Sequence, residues 1–501
     1  MSELNMNLKK ILSSQQGAIF VFVIGLVLVG LVTGILFVSL LTTDAKIASR
    51  NRNATVAFYV AEAGVEKAII MLNENTALRG TLTGTLNGGS FSTSLTDDLS
   101  DGTIVIKSVA GYQGSQRTVK LKVIIGSWPM FHYNPARVGY TPQAIYTPFT
   151  PQWTYNTGSV IASSPVEEGN VIYFGANDDY LYRLNALTGA LLGRFRSNGD
   201  IVSTPAVVDN IVYVGSKDTY LYALDALTGT LLWSKNDPLA PSPIQSSPVV
   251  AEGVVYYGTD NGRLYALDAL TGALKPGWPY VAAGGIVGAP AVYNGVVYFG
   301  ALDGRVYAVD AVSGVLKSGW PYSTSGSIYS SPAVDQNILV IGSDDTYVYF
   351  LDLNGTLLDR YKTSGLVRSA PAFQGSIAYV GSDDRDVYAL RIRYRRWGWG
   401  WAYDVTRTWR YNTGGAVRSS PSVCGNYVFV GSDDDYVYVL NKGNGNRRYR
   451  YRTNGNVQTS PALFGDNVYV SGTDGRLYAF TGRIAVPGPV RIVDYSWMDR
   501  Y

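Results

Sequence analysis

The chain of 501 residues carries 41 basic and 38 acidic side chains, and this formal charge of +3 gives no whole-protein field that would hold nucleic acid. A single cysteine, Cys424, and a single histidine, His132, exclude an intrachain disulfide, a CxxC redox pair, CxxCH haem attachment and cysteine- or histidine-rich zinc sites. With 55 glycines, 38 tyrosines and 16% charged residues, the composition suits many short strands joined by tight turns, arranged in at least two units or one large closed ring.

The first predicted element is apolar. Lys9 and Lys10 precede an uninterrupted run over residues 18–41, long enough for a helix to cross a bilayer. The charges before it favour a cytoplasmic N-terminus and place the remainder outside. A removable secretory signal would have a shorter apolar core closed by a small-residue cleavage site. Residues 44–73 contain no proline and only Gly64, and Val56, Tyr59, Val60, Ala63 and Ile70 recur at helical spacing. One helix over about 18–73 is predicted, apolar in its first half and amphipathic in its second. Residues 88–125 then read as a small antiparallel sheet, with strands at 103–109 and 118–124 around a turn at 111–114.

Two segments resemble the type IV pilin-like superfamily, in particular the PilX type of minor pilin: Gln15-Gln16-Gly17-Ala18 before the apolar run, and Ala57-Phe58-Tyr59-Val60-Ala61-Glu62-Ala63-Gly64-Val65-Glu66 at the end of the helix. The resemblance implies a leader over 1–17, cleavage by a prepilin peptidase between Gly17 and Ala18, a stem over 18–127, and a helix, from Phe22 to Glu62 and beyond, that packs against other pilin subunits after a stay in the inner membrane. The chain departs from the pattern at the fifth mature residue, where Phe22 stands in place of the usual glutamate.

From residue 163 a pattern recurs eight times on a Ser-Pro, Thr-Pro or Ala-Pro step, at Pro165, Pro205, Pro248, Pro290, Pro332, Pro371, Pro421 and Pro461. A spacing of about 40 residues indicates four-stranded propeller blades. The last repeat lacks its fourth strand, and residues 152–155, with Trp153 at the fourth-strand tryptophan position, are placed to supply it. The predicted class is therefore mainly β: an eight-bladed β-propeller of four-stranded blades over 128–483, preceded by a long N-terminal pilin-like α-helix and a small antiparallel sheet. Residues 484–501 read as a tail.

The repeats resemble the pyrroloquinoline-quinone-like family. Trp128-Pro129-Met130-Phe131 with Arg137-Val138-Gly139-Tyr140 looks like its opening segment, and Tyr222-Ala223-Leu224-Asp225-Ala226-Leu227-Thr228-Gly229 is similar to its repeat core. A quinone-dependent member implies adjacent cysteines, a calcium-type ion and an aspartate base. The adjacent cysteines are absent, so neither pyrroloquinoline quinone nor any other cofactor is expected, and no catalytic residue is assigned. Aspartate pairs at Asp178-Asp179, Asp344-Asp345, Asp383-Asp384 and Asp433-Asp434 offer the oxygens calcium prefers, which makes Asp344, Asp345, Asp433 and Asp434 the metal candidates. Their common place between the second and third strands of a blade also suits aspartates that bond their own turn.

The sixth repeat is lengthened and reads Arg391-Ile392-Arg393-Tyr394-Arg395-Arg396-Trp397-Gly398-Trp399-Gly400-Trp401-Ala402-Tyr403. Insertions on a rigid ring are where binding concentrates. Arg393, Arg395, Arg396, Trp397, Trp399 and Trp401, with Arg448 and Arg450 from the seventh repeat, form a candidate patch for a surface glycan, an anionic surface or a protein ligand. The ordinary alternative is a lengthened hairpin packed on a neighbouring blade. The expected function is that of a minor pilin or filament subunit displaying a propeller for adhesion or partner binding. A membrane-anchored envelope scaffold and a quinoprotein dehydrogenase are the other classes.

Overall fold

The computed structural model describes residues 56–68, 80–124, 130–141, 146–483 and 491–498, apart from positions 62, 66, 87, 99–102, 113–114, 133, 138, 398–399 and 465–466. The chain divides into two compact units, one comprising Met1–Gly126 with Ala485–Tyr501 and the other Ser127–Ile484. The apolar run at 18–41, with Gly17, Ala18 and Phe22, lies outside the described residues, as does Glu62. Among the described residues, no helix is long and apolar enough to cross a membrane.

In the first unit the described residues of the 56–68 segment are helical. Val60, Ala61, Val65 and Ala68 are buried against Phe91, Leu95, Ile106, Ala110 and Val119 of an antiparallel sheet. Gly64 sits where a Cβ would come within 2.4 Å of both Thr93 Oγ1 and Ser108 Oγ, two hydroxyls themselves joined at 2.8 Å. Only glycine lets the helix approach this closely. The sheet is larger than the sequence suggested. It begins at Gly80–Leu86, continues through Gly89–Asp98, Thr103–Tyr112 and Ser115–Ile124, and gains a fifth strand from Arg491–Met498. The C-terminal segment read as a tail thus returns to pair antiparallel with Ser115–Ile124. Its alternation was too short and too distant in sequence to be matched with a partner.

The second unit is an eight-bladed propeller. Inner strands Val166–Glu168, Ala206–Val208, Val249–Ala251, Ala291–Tyr293, Ala333–Asp335, Ala372–Gln374, Ser422–Cys424 and Ala462–Phe464 open blades 1 to 8, each one residue after a repeat proline. Proline has no N–H to give a ladder and holds its predecessor extended, so it suits the first position of an innermost strand. Blade 2 continues through Ile211–Gly215, Leu221–Asp225 and Leu231–Lys235. Blade 8 takes its fourth strand from Tyr146–Asn156, with Trp153 opposite Ala479. Sequence-distant ends therefore close the ring and leave no broken blade.

Two repeated devices join the blades. Gly215 ends a second strand beneath Ile244, whose Cγ2 would lie 2.3 Å from an added Cβ, and Gly258, Gly300 and Gly342 meet Ile286, Ile328 and Val367 in the same way. The residue before the proline carries a hydroxyl in six of the eight repeats and forms a belt: Ser164 N donates to Thr204 Oγ1, Thr204 N to Ser247 Oγ, Ser420 N to Ser460 Oγ and Ser460 N to Ser164 Oγ, at 2.9–3.2 Å. Ala289 and Ala370 still donate, to Ser331 and Ser420, but offer no acceptor to the blade before them. The belt is interrupted at those two steps.

Candidate functional site

Seven of the eight blades pin the turn between their second and third strands with an aspartate. Asp345 accepts the backbone N–H groups of Tyr347 and Ser325 at 3.1 and 2.9 Å and the Tyr349 hydroxyl at 2.6 Å. Asp434 repeats this set with Tyr436, Gly414 and Tyr438. In blade 3 the carboxylate comes instead from Asp237, which accepts from Tyr265. One member of each aspartate pair is thus consumed by turn chemistry.

The other member of three pairs points into a cross-blade ladder at the end of the propeller where loops lead into the inner strands. Arg368 makes a two-pronged contact with Asp344, both bonds at 2.9 Å, and lies 4.5 Å over the Tyr329 ring. Arg418 holds Asp383 at 3.1 and 3.2 Å and reaches Asp433 at 3.4 Å, while Gln458 donates to Asp433 at 2.9 Å. Arg368 and Arg418 had no place in the sequence reading. Their signal was present: both stand two residues after a loop position, in Leu366-Val367-Arg368-Ser369 and Ala416-Val417-Arg418-Ser419, where other repeats carry Ala162, Val202 or Val287. The arc sets two arginines against three aspartates and is partly exposed. It contains no nucleophile paired with a base.

The bore behind this arc is crossed by the segment at 130–141. The Pro135, Ala136 and Gly139 carbonyls accept the N–H groups of Val292, Val334 and Val423, at 2.8, 2.9 and 2.8 Å, on the inner strands of blades 4, 5 and 7. Tyr140–Thr141 pairs in parallel with Ser422–Cys424. Arg137 is fully buried and donates to the Pro290 and Pro248 carbonyls at 3.0 Å each, and to the Phe131 carbonyl. Its φ of 59° and that of 54° at His132 place both in the left-handed region, a strain the surrounding bonds must hold. His132 stacks on Phe131, and its Nδ1 lies 3.3 Å from the Arg137 carbonyl. Burial lowers its pKa to about 3, so the ring is neutral. Contacts with the inner strands of several blades make this segment a plug. The sequence reading identified it only as an opening segment.

On the inner strand of blade 1, Glu167 occupies the place held by Val207 and Val250 in the next two blades. It is completely buried; Oε1 accepts the Asn170 N–H at 2.7 Å and Oε2 has no partner. Burial pushes its carboxyl well above the ordinary range.

The lengthened sixth repeat is a hairpin of Asp386–Trp397 and Gly400–Asn412, paired from Asp386↔Asn412 to Trp397↔Gly400 with a one-residue register shift between Ala389 and Leu390. It is anchored on blade 5: Ile392 and Val405 are buried beside Val348 and Phe350, and Val405 N donates to Asp359 at 2.6 Å. Further out, Tyr394 and Tyr403 pair at 4.9 Å, and Arg393 and Arg395 are exposed, with Arg395 3.6 Å from Asp404. Trp399 and the side chains of Arg396, Trp397 and Trp401 lie outside the described residues. On blade 7, Arg448 and Arg450 are exposed, and Arg450 sits 4.5 Å over Tyr436. Arg194 over Tyr180 and Arg360 over Tyr347 repeat that contact, so Arg450 is a recurring part of a blade. Arg447 approaches Tyr411 at the hairpin base, but among the described residues no hydrogen bond or ion pair joins Arg393 or Arg395 to Arg448 or Arg450.

A quinone with its calcium does not fit these residues. Cys424 is solitary and buried in the core shared by blades 7, 8 and 1, and the plug occupies the bore at the level of the inner strands. Asp344, Asp345, Asp433 and Asp434 have their oxygens engaged by arginine, glutamine, tyrosine and backbone donors. Among the described residues, no group of three or more His, Cys, Asp or Glu is arranged to hold a metal ion.

Among solved structures, the chain is similar to BamB from Moraxella catarrhalis, at 20% identity and a TM-score of 0.56 over 67% of this chain and 98% of that one. A europium-containing methanol dehydrogenase matches at 14% identity and a TM-score of 0.60, over 72% and 98%. The computationally designed Ika8 protein matches at 22% and 0.56, over 65% and 97%. At these identities the likeness concerns the fold. No curated protein matches the sequence. The family profile described as outer membrane protein assembly factor BamB matches residues 150–354 and 401–486, more than half of the chain, and omits 355–400, which hold the outer strand of blade 5 and the first three strands of blade 6. Blade count, repeat chemistry and this match agree, and the chain belongs to that family.

Proposed function

We propose that this protein is a non-catalytic interaction scaffold of the bacterial envelope, a propeller displayed on a pilin-like stem for adhesion or partner binding. The plugged bore supports the non-catalytic part: Arg137 and His132 are buried against the inner strands, and Asp344, Asp383 and Asp433 are already paired with Arg368 and Arg418. Such a ring works through its surfaces. The stem reading rests on Gln15-Gln16-Gly17-Ala18, the apolar run behind it and Ala61-Glu62-Ala63-Gly64. The close approach of the helix to its sheet at Gly64 agrees with it. In this reading the helix stands in the inner membrane before assembly and then packs among other pilin subunits.

A membrane-anchored scaffold that stays in the envelope is the second reading, favoured by the family description. Intact mass and N-terminal sequencing of the protein from sheared surface filaments and from washed membranes separate the two. A mature chain beginning at Ala18 in the filament fraction supports display. An uncut chain confined to membranes overturns it and leaves the anchored scaffold.

A further inference from the structure

Near the lead-in loops, the third and fourth strands of several blades carry the same stack. Arg194 lies 4.1 Å over Tyr180, Arg360 4.4 Å over Tyr347 and Arg450 4.5 Å over Tyr436, in blades 1, 5 and 7. Register fixes the matching positions in blade 8. Arg194 stands opposite Tyr182 and Arg450 opposite Tyr438, whereas in blade 8 it is Thr154 that stands opposite Tyr478, and Arg476 takes the place of the stacked tyrosine. A short side chain replaces a long one and leaves room. A cleft of about 340 Å³ opens there, bordered by Thr154, Asn156 and Arg476 of blade 8 and by Arg452 and Asn454 of blade 7. Small-ligand sites span about 300–1,000 Å³.

The two arginines also lack the ion pairs of their counterparts. Arg196, at the place of Arg452 in blade 1, lies 3.8 Å from Asp179, and Arg263 and Arg305, at the place of Arg476 in blades 3 and 4, lie 3.6 Å from Asp237 and 3.9 Å from Asp303. Among the described residues neither Arg452 nor Arg476 forms an ion pair. Asp435 stands where blade 1 has Asp179 and does not pair with Arg452, and Asp474 accepts the Tyr478 hydroxyl and the Arg476 N–H on its two oxygens.

We propose that this cleft binds an acidic sugar residue of a surface glycan, its carboxylate held by Arg452 and Arg476 and its hydroxyls by Thr154 and the amides of Asn156 and Asn454. In the sister blades a planar cation packs on a tyrosine. In blade 8 a guanidinium stands in place of that ring, so the group that completes the site is a planar anion, and a guanidinium fork takes a carboxylate through two parallel bonds. The neutral hydroxyl and amide groups around the two charges donate to and accept from sugar hydroxyls, which a bare ion would leave unused. The inference rests on the reading of the propeller as a displayed binding module and names the class of its ligand.

The test uses the full chain in detergent micelles and isothermal titration with trigalacturonate, with maltotriose as the neutral counterpart and inorganic phosphate as the bare anion. Trigalacturonate is expected to bind at least ten-fold more tightly than either. R452Q and R476Q are each expected to weaken it at least ten-fold, and T154R, which restores the arginine of blades 1, 5 and 7, to abolish it, with the thermal midpoint of all three variants close to that of the parent. Undiminished binding by T154R would overturn the proposal. So would maltotriose or phosphate binding as tightly as trigalacturonate, or no binding of trigalacturonate at all. None of these results alters where the chain begins in the filament fraction, so failure of this site and failure of surface display are told apart.

Discussion

The two ends of the propeller blades are coupled by different groups. At the end with the lead-in loops, side chains from neighbouring blades bond one another: Ser164 meets Thr204, Arg368 meets Asp344, and Arg418 spans Asp383 and Asp433. At the other end the turns of blades 1 to 4 close on Asx bonds, and their carbonyls accept side chains of the blade before: Ala226 takes the Tyr173 hydroxyl, Leu227 takes Arg183, and Ala269 takes Tyr213 and Trp233, while the Leu227 and Val312 side chains project into solvent. The difference teaches where such a ring is free to vary. Residues that couple blades are constrained by the closure of the whole circle. At the tips only the outward side chains, such as Leu227 and Val312, change the surface without disturbing it.

The largest break in this contrast is expected at Arg137. Arg137→Ala removes a buried guanidinium and strands the Phe131, Pro248 and Pro290 carbonyls, a loss of about 3 kcal/mol or more, read as a lower urea midpoint. The two buried titratable groups give a pH signature of opposite signs. His132 has a folded pKa near 3 against an ordinary 6.5, so the fold loses stability as pH falls through that window, because the unfolded chain takes up the proton. Glu167 has a folded pKa raised above 4.5, so its protonated form contributes stability at low pH that is lost as pH rises. Glu167→Gln is therefore expected to gain midpoint relative to the parent at about pH 8 and less at about pH 5; no change between the two would place the carboxylate in a polar environment.

A pair of glycine substitutions sharpens the comparison of ends. Gly215→Ala drives a Cβ into Ile244 and is expected to cost about 1–3 kcal/mol, whereas Gly443→Ala meets only Asn441 Oδ1 at 3.4 Å and should stay within about 0.5 kcal/mol. Thermal unfolding of the two variants side by side measures this. The smallest effect concerns the hydroxyl belt. Ser460→Ala removes the acceptor of Ser420 N and is expected to cost about 1 kcal/mol, while Ala289→Ser supplies the acceptor missing from one interrupted step and should recover a few tenths.

Much of the ring was legible because its determinants are local and repeated. The eight prolines marked the inner strands to the residue, Trp153 marked the strand that closes blade 8, and the aspartate pairs were readable as turn residues from their common place in the blade. What was not legible depends on partners far apart in the chain. Arg137 bonds carbonyls 111 and 153 residues away, and nothing in its own neighbourhood marks those acceptors. The Arg491–Met498 strand reaches its partner only after the propeller has been traversed. The basic-aromatic patch is a different case, since Trp399 and the side chains of Arg396, Trp397 and Trp401 lie outside the described residues. Alternation correctly faced Arg448 and Arg450 outward, but it did not distinguish a ligand site from the arginine-over-tyrosine contact that recurs in blades 1 and 5.

The claim that the bore is plugged and the propeller acts through its surfaces is tested most directly by amide hydrogen exchange on the full chain. The Val292, Val334 and Val423 amides, which donate to the plug carbonyls, are expected to exchange as slowly as the blade cores. Exchange at the rate of the exposed turn at Leu227 would mean that the segment leaves the axis, and a bore open to ligands would contradict a propeller that works through its surfaces alone.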